Sequence, residues 1–432
     1  RPEAEWQEWT GRDPLLRWLV CEDFSALCAD ERRRILSTCF RVNHDTMLQP
    51  FAGYRRLLSW AEQLREADDA DLLYLSAQYF ADAVTWYHLS WTGETVRREH
   101  PELLALMRRG NAFTLAERRR LSEVLGGVVS AVIGRYRALA ERGQIELSTT
   151  PYYHPITPLL LDFSSARESS PEAALPQRSG YGGGYTRAQH HLQQALNAHE
   201  QWFGTPPQGV WPAEGGVSLA TAQLFAAQGV RWMATGEGVL ANSLKNKRQF
   251  TGARESYLYT PYAIDAAGGN AITCFFRDDK LSDRIGFEYA KWHADDAVPN
   301  FIGELERIAK SAPEGVRPLV SIILDGENAW EYYPFNGFYF LSQLYTALEH
   351  HHWIRTFTPS AWLQTNAAAT IPALTQLCAG SWVYGTFSTW IGSAAKNRAW
   401  DLLCDAKTVY DAVYPQLDPA TQARAQRLLG VC

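Results

Sequence analysis

From residue 144 to residue 350, short runs of β-branched and aromatic residues alternate with longer stretches whose apolar residues recur every three or four positions. The runs Ile145–Ser148, Gly209–Trp211, Trp232–Thr235, Ile272–Phe276 and Leu319–Leu324 predict strands. Arg187–Trp202, Leu219–Gln228, Ala294–Ser311 and Asn336–His350 predict helices. Strands separated by helical segments predict a parallel sheet with helices packed outside it. The expected class is therefore α/β. In such folds the reactive groups gather at the C-terminal ends of the strands. Four of the five runs deliver ionisable residues there: His154 after the first, Glu214 after the second, Arg277 and Asp278 after the fourth, and Asp325 after the fifth.

The flanks read differently. Residues 1–140 carry helical spacing in Leu57–Arg65, Asp71–Phe80 and Leu115–Arg142, and form an expected helical region inserted in or preceding the core. Residues 141–355 are the alternating core, and 356–432 are an expected helical C-terminal region with tryptophans clustered over 382–400. The polar, glycine-rich passage 164–185 reads as a surface loop or lid.

A formal net charge of -6 and a pI near 6.0 leave no basic surface for phosphates, so no nucleic-acid partner is expected. The triple arginines 32–34 and 118–120 fall within helical spacing and read as solvated faces. No run of about 18 apolar residues occurs, which predicts no membrane span. Seven cysteines without CxxC spacing predict neither a disulfide framework nor a cysteine-rich metal site, and point to a reducing, cytoplasmic setting. The 16 Trp and 20 Tyr exceed what a core needs, and flat rings with polar edges suit the apolar faces of sugars.

Two acids stand out. Glu214 sits in Trp211-Pro212-Ala213-Glu214-Gly215-Gly216, a tight turn at a strand end, and Asp325 stands where an apolar run emerges. Each has a plain structural alternative, as a helix-capping residue or a turn former. Their placement at the ends of separate strands, with Trp211 and Trp330 beside them, fits the paired carboxyls of glycosidic bond cleavage. Among the other polar residues, Asp278, Asp279 and Asp283 most simply order a loop, and Glu327 is a candidate for tuning Asp325. The run 350–352 of histidines closes a helix, where a helix C-terminus favours them over a metal. His190, His191 and His199 read as surface or packing residues.

The segments 144–160 (QIELSTTPYYHPITPLL), 210–218 (VWPAEGGVS), 275–287 (FFRDDKLSDRIGF) and 323–333 (ILDGENAWEYY) resemble glycoside hydrolase family 57, as does 382–400 (WVYGTFSTWIGSAAKNRAW). The resemblance implies an incomplete (β/α)7 barrel with large helical insertions and a helical C-terminal region. It implies a retaining reaction on an α-glucan or maltooligosaccharide, by hydrolysis or transfer, without metal or organic cofactor. Glu214 matches the family nucleophile and Asp325 the acid/base, which in a covalent mechanism stand about 5–5.5 Å apart. His154, Trp211, Arg277, Trp330, Trp382 and Trp390 match residues around the sugar. One departure is plain: the family's opening His-Gln-Pro has no counterpart, the nearest string being Leu48-Gln49-Pro50, so the chain is expected to start after the first two barrel strands.

Two rivals predict different observations. A metal-dependent polysaccharide deacetylase needs an Asp and paired histidines, and no His-x-x-x-His occurs. A non-catalytic glucan-binding protein would bind saturably and leave chain length unchanged.

Overall fold

The computed structural model describes residues 11–64, 68–245, 253–265, 271–326, 330–366 and 371–431. These form two compact units: the described parts of Arg1–Arg135, Arg284–Asn300 and Leu324–Trp353, and those of Tyr136–Asp283, Phe301–Ile323 and Ile354–Cys432.

The first unit is helical. Its central helix, Ala77–Trp91, is apolar around most of its circumference, and the surface it cannot expose is covered by neighbouring helices. Ser76 caps it, accepting from Tyr79 N at 3.1 Å. The Trp86 ring stacks on Tyr54 at 5.5 Å and donates through Nε1 to Gly110 O at 2.9 Å. Asp82, buried on the same helix, accepts from the amides of Ala112 and Phe113 and so ties down the loop before Leu115–Glu141. Asp82 and the Trp86 indole thus find backbone partners within this core, as burial favours.

The second unit carries the sheet, with strands β1 (Gly209–Val210), β2 (Trp232–Gly236), β3 (Tyr262–Asp265) and β4 (Ala271–Arg277) in the order β1-β2-β4-β3. β1, β2 and β4 are parallel, and β3 is an antiparallel edge on β4. Helix α1 (Gly184–Phe203) precedes β1, helix α2 (Leu219–Ala227) joins β1 to β2, and helix α3 (Pro419–Val431) closes the chain. Gly209 has no room for a side chain: a Cβ there would stand 1.9 Å from the Trp232 ring.

Two expected strands are reduced to single bridges. Ile145–Ser148 forms no ladder; only Thr149 pairs, in parallel with Val210, before Pro151 ends the run. Leu319–Leu324 likewise leaves one parallel bridge, Ser321 with Arg277. Other backbone groups there bond elsewhere: Leu319 N donates to Tyr259 O at 2.9 Å, Ile323 O accepts from Arg277 Nε at 2.8 Å, and Ile323 N donates to Ser282 Oγ at 3.2 Å. β3 was not expected. Its alternation of buried Tyr262 and Ile264 with more exposed Ala263 and Asp265 is short, and it follows Pro261. The expected helix Asp71–Phe80 is divided between a 3-10 turn, Asp71–Tyr74, and the start of Ala77–Trp91, because Ser76 caps a new helix there. The other expected helices and strands are present with ends shifted by a few residues, and Ala294–Ser311 coincides. No helix of the described residues is long and apolar enough to cross a membrane. The architecture is α-rich α/β with a small, mostly parallel sheet.

Candidate active site

The end of β1 is built for an unusual backbone. Trp211 N donates to Thr149 O at 2.9 Å, and Pro212, without an N–H, ends the pairing. Glu214 then adopts φ 54, ψ 28, and Gly215 follows at φ 58. A left-handed conformation costs a residue with a Cβ about 1–2 kcal/mol. The surroundings hold it there. Glu214 O accepts from Ser381 Oγ at 2.8 Å and from Trp382 N at 3.3 Å, and Gly215 O accepts from Thr235 Oγ1 at 2.6 Å. Gly215 is required twice, by its φ and because a Cβ would meet Trp382 and Trp211 at 3.1 and 3.2 Å. Gly236, ending β2, admits Trp382 in the same way, since a Cβ there would come within 2.7 Å of the Trp382 Cα.

This turn presents the Glu214 carboxylate with a nitrogen at each oxygen. His154 Nε2 lies 3.3 Å from Oε1, and Trp382 Nε1 donates to Oε2 at 3.2 Å. Trp382 meets Trp211 edge-on at 5.0 Å. The Glu214 side chain is 35% exposed and that of His154 55%, so the pair opens to solvent and can be reached by a substrate. His154 arrives through a turn of its own, with Tyr153 at φ 66 and His154 at φ 56.

The ends of β2 and β4 carry an ion cluster instead. Arg254 donates to Glu237 through both Nε and Nη2, and through Nη2 to Asp278 at 2.7 Å. Asp278 also accepts from Tyr259 Oη at 3.0 Å and Leu281 N at 3.0 Å. Burial pulls the Arg254 guanidinium down, and its hydrogen bonds to Glu237 and Asp278 carry it well above its ordinary value. Burial pushes the Asp279 carboxyl up to about 6; Arg277 opposes the shift and the Glu237 charge adds to it.

Arg277, matched by resemblance to a sugar-contacting arginine, is held inside this cluster. It is buried and donates to Ile323 O, to Asp279 Oδ1 at 2.8 Å and to Asp283 Oδ1 at 2.7 Å. Its guanidinium carbon stands 5.4 Å from the Trp382 ring, so it braces the indole that holds Glu214.

The other sequence candidates are placed as follows. Trp390 packs into the cluster of Ile156, Leu160 and Phe163, and its carbonyl accepts from Trp400 Nε1 at 3.0 Å. Asp325 and Trp330 belong to the helical unit, where Trp330 packs on Tyr333 at 5.4 Å and over Gly337. Glu327 lies outside the described residues. His350 ends its helix, with Nδ1 2.9 Å from Thr346 O. His191 and His199 are buried on α1.

Sequence reasoning missed Ser381, Thr235 and Gly236, which shape the Glu214 turn, and the pairing of Arg254 with Asp278. The string Gly380-Ser381-Trp382 was a usable signal, a small polar residue beside the aromatic that reaches the acid. Arg254 offered none, because its partners are brought to it only by the fold.

The sequence profile of glycosyl hydrolase family 57 matches residues 52–374. Among solved structures, the chain is similar to a family 57-type branching enzyme of Pyrococcus horikoshii, with TM-score 0.55 and 16% identity over 86% of this chain and 74% of that one. It is similar also to the branching enzyme TK1436 of Thermococcus kodakaraensis, with TM-score 0.51 and 14% identity over 87% and 74%. At these identities the likeness is one of fold. A search of curated proteins finds no match.

Proposed function

Because the chain belongs to glycosyl hydrolase family 57, we propose that it hydrolyses or transfers α-glucosidic bonds in an α-glucan by a retaining, covalent mechanism. The observation that carries this reading is the Glu214 carboxylate, held in a left-handed turn past β1 with a nitrogen at each oxygen and open to solvent. An acid steered so closely by an imidazole and an indole, and open to solvent, suits nucleophilic attack.

Glu214 attacks the anomeric carbon while Asp325 protonates the departing glycosidic oxygen. In the second half, Asp325 takes the proton of an incoming water or sugar hydroxyl, which displaces Glu214. Water gives hydrolysis, and a sugar hydroxyl gives transfer. His154 and Trp382 fix the direction of the Glu214 oxygens, and Trp211 and Trp382 offer aromatic faces to the sugar ring. The scaffold is read as an incomplete (β/α)7 barrel. Its support is the succession of parallel segments, from Thr149 through β1, β2 and β4 to Ser321, which follow the chain in order.

The test is product analysis on amylose, pullulan and maltooligosaccharides, with Glu214→Gln and Asp325→Asn alongside. The two solved structures named above are branching enzymes, so new α-1,6 linkages are scored with reducing ends. The reading expects products of unchanged anomeric configuration and loss of turnover in both variants. Unchanged turnover in Glu214→Gln, or saturable binding without any change in chain length, contradicts it.

A further inference from the structure

His154 reaches Glu214 through two consecutive left-handed residues, Tyr153 and His154. A Cβ makes each cost about 1–2 kcal/mol, so contacts from elsewhere must keep the turn in place. The hydrogen bond from His154 N to Pro151 O, 2.9 Å long, closes the turn.

Helix α1 supplies one outside grip. Tyr152 N donates to His191 O at 3.0 Å, and the Tyr153 ring meets the His191 ring edge-on at 5.7 Å. His191 is only 4% exposed, so this wall is fixed. Helix α3 supplies another. A Cβ built on Gly430 would stand 2.6 Å from Tyr153 Cε2 and 2.8 Å from Cδ2. The two helices are themselves joined, Gln426 Nε2 lying 2.8 Å from His190 Nε2. Glycine within a helix costs about 1 kcal/mol against alanine. At position 430 the close seat of the tyrosine ring explains it.

We propose that the C-terminal helix α3 positions His154 for the reaction: Gly430 admits the Tyr153 ring, α1 and α3 hold that ring between them, and the locked turn keeps the His154 imidazole on Glu214. Tyr153 and Gly430 are positioning residues that act through His154. The inference rests on the reading of Glu214 as the nucleophile.

The experiment places Gly430→Val in the wild-type chain and in His154→Ala, and measures kcat and KM on amylose. Misplacement by about 1 Å costs on the order of 100-fold, so kcat falls tenfold or more in the wild-type background, with KM changed less. In the His154→Ala background the same substitution changes kcat less than about twofold, as expected for groups that act as one unit. Equal losses in both backgrounds, or no loss in either, overturn the proposal. Gly430→Ala, with a single methyl, serves if the valine variant does not fold. Histidine-selective NMR reads the same point without turnover. The His154 ring signals, assigned by their absence in His154→Ala, move in Gly430→Val; unmoved signals overturn the proposal. If the wild type lacks α-glucan activity, or Glu214→Gln equals it, the functional reading fails, and the NMR result then decides the positioning on its own.

Discussion

Glu214 at the end of β1 and Asp278 at the end of β4 are acids in corresponding places on one sheet, with opposite surroundings. Asp278 is 1% exposed and accepts from a guanidinium, a phenol and a backbone amide. Glu214 is about a third exposed, and its oxygens are approached by an imidazole and an indole. An acid whose acceptor sites are filled by a cation and a helix start holds the face together. One that is steered from the side and left open can react. The difference also divides where strain is stored: the Glu214 and His154 turns are left-handed, whereas none of Glu237, Arg254, Arg277 and Asp278 has positive φ.

The largest expected effect is at Glu214 itself. Glu214→Gln lowers kcat by on the order of 10⁴-fold or more, the scale of removing a nucleophile. Its thermal midpoint stays close to wild type, because no buried charge loses a partner. A loss of stability that matched the loss of rate would make Glu214 structural, like Asp278.

Arg254→Met attacks the other side. It strands Glu237 and Asp278 without their cation, and unpairing a buried charge costs about 3–5 kcal/mol. Denaturant unfolding measures it, and a change under about 1 kcal/mol would remove the distinction between the two strand ends.

Trp382→Phe separates packing from steering at the Glu214 turn. The ring packing on Trp211 is retained and the Nε1 donor to Glu214 is lost. A hydrogen bond to a charged group is worth about 1.5–3 kcal/mol, so kcat falls about 10- to 100-fold. Unchanged kcat would mean that the indole packs without steering the acid.

The smallest effect is a pH dependence. The Asp279 carboxyl titrates at about 6 when folded, against 3.8 ordinarily. The folded chain therefore binds this proton more tightly, and the stability it contributes is fully present below about pH 4 and lost as pH rises through 6. The melting temperature of wild type minus that of Asp279→Asn falls between pH 4 and 6.5. A difference that stays flat, or rises, contradicts the assignment.

Much of this site was legible in the sequence, and for a reason. Glu214, His154 and Trp382 each lie in a short string whose composition announces a turn or an aromatic cluster, and the structure brings them together across 60 and 168 residues. Arg277 shows the limit. Its residue type fits a sugar contact, but Asp279, Asp283 and the Ile323 carbonyl hold its guanidinium, and only tertiary structure reveals those partners. Leu319–Leu324 has the composition of a buried strand, yet side-chain hydrogen bonds replace part of the ladder that composition alone would assign. β3 escaped because four residues of alternation are too few to stand out from a loop.

In the proposed mechanism Glu214 forms a covalent bond with the sugar. A slow fluorinated glucosyl donor, followed by peptide mass spectrometry, tests it most directly. A single glucosyl adduct on the peptide carrying Glu214, absent in Glu214→Gln, is expected; turnover of the donor with no adduct, or an adduct on another carboxylate, contradicts covalent attack by Glu214.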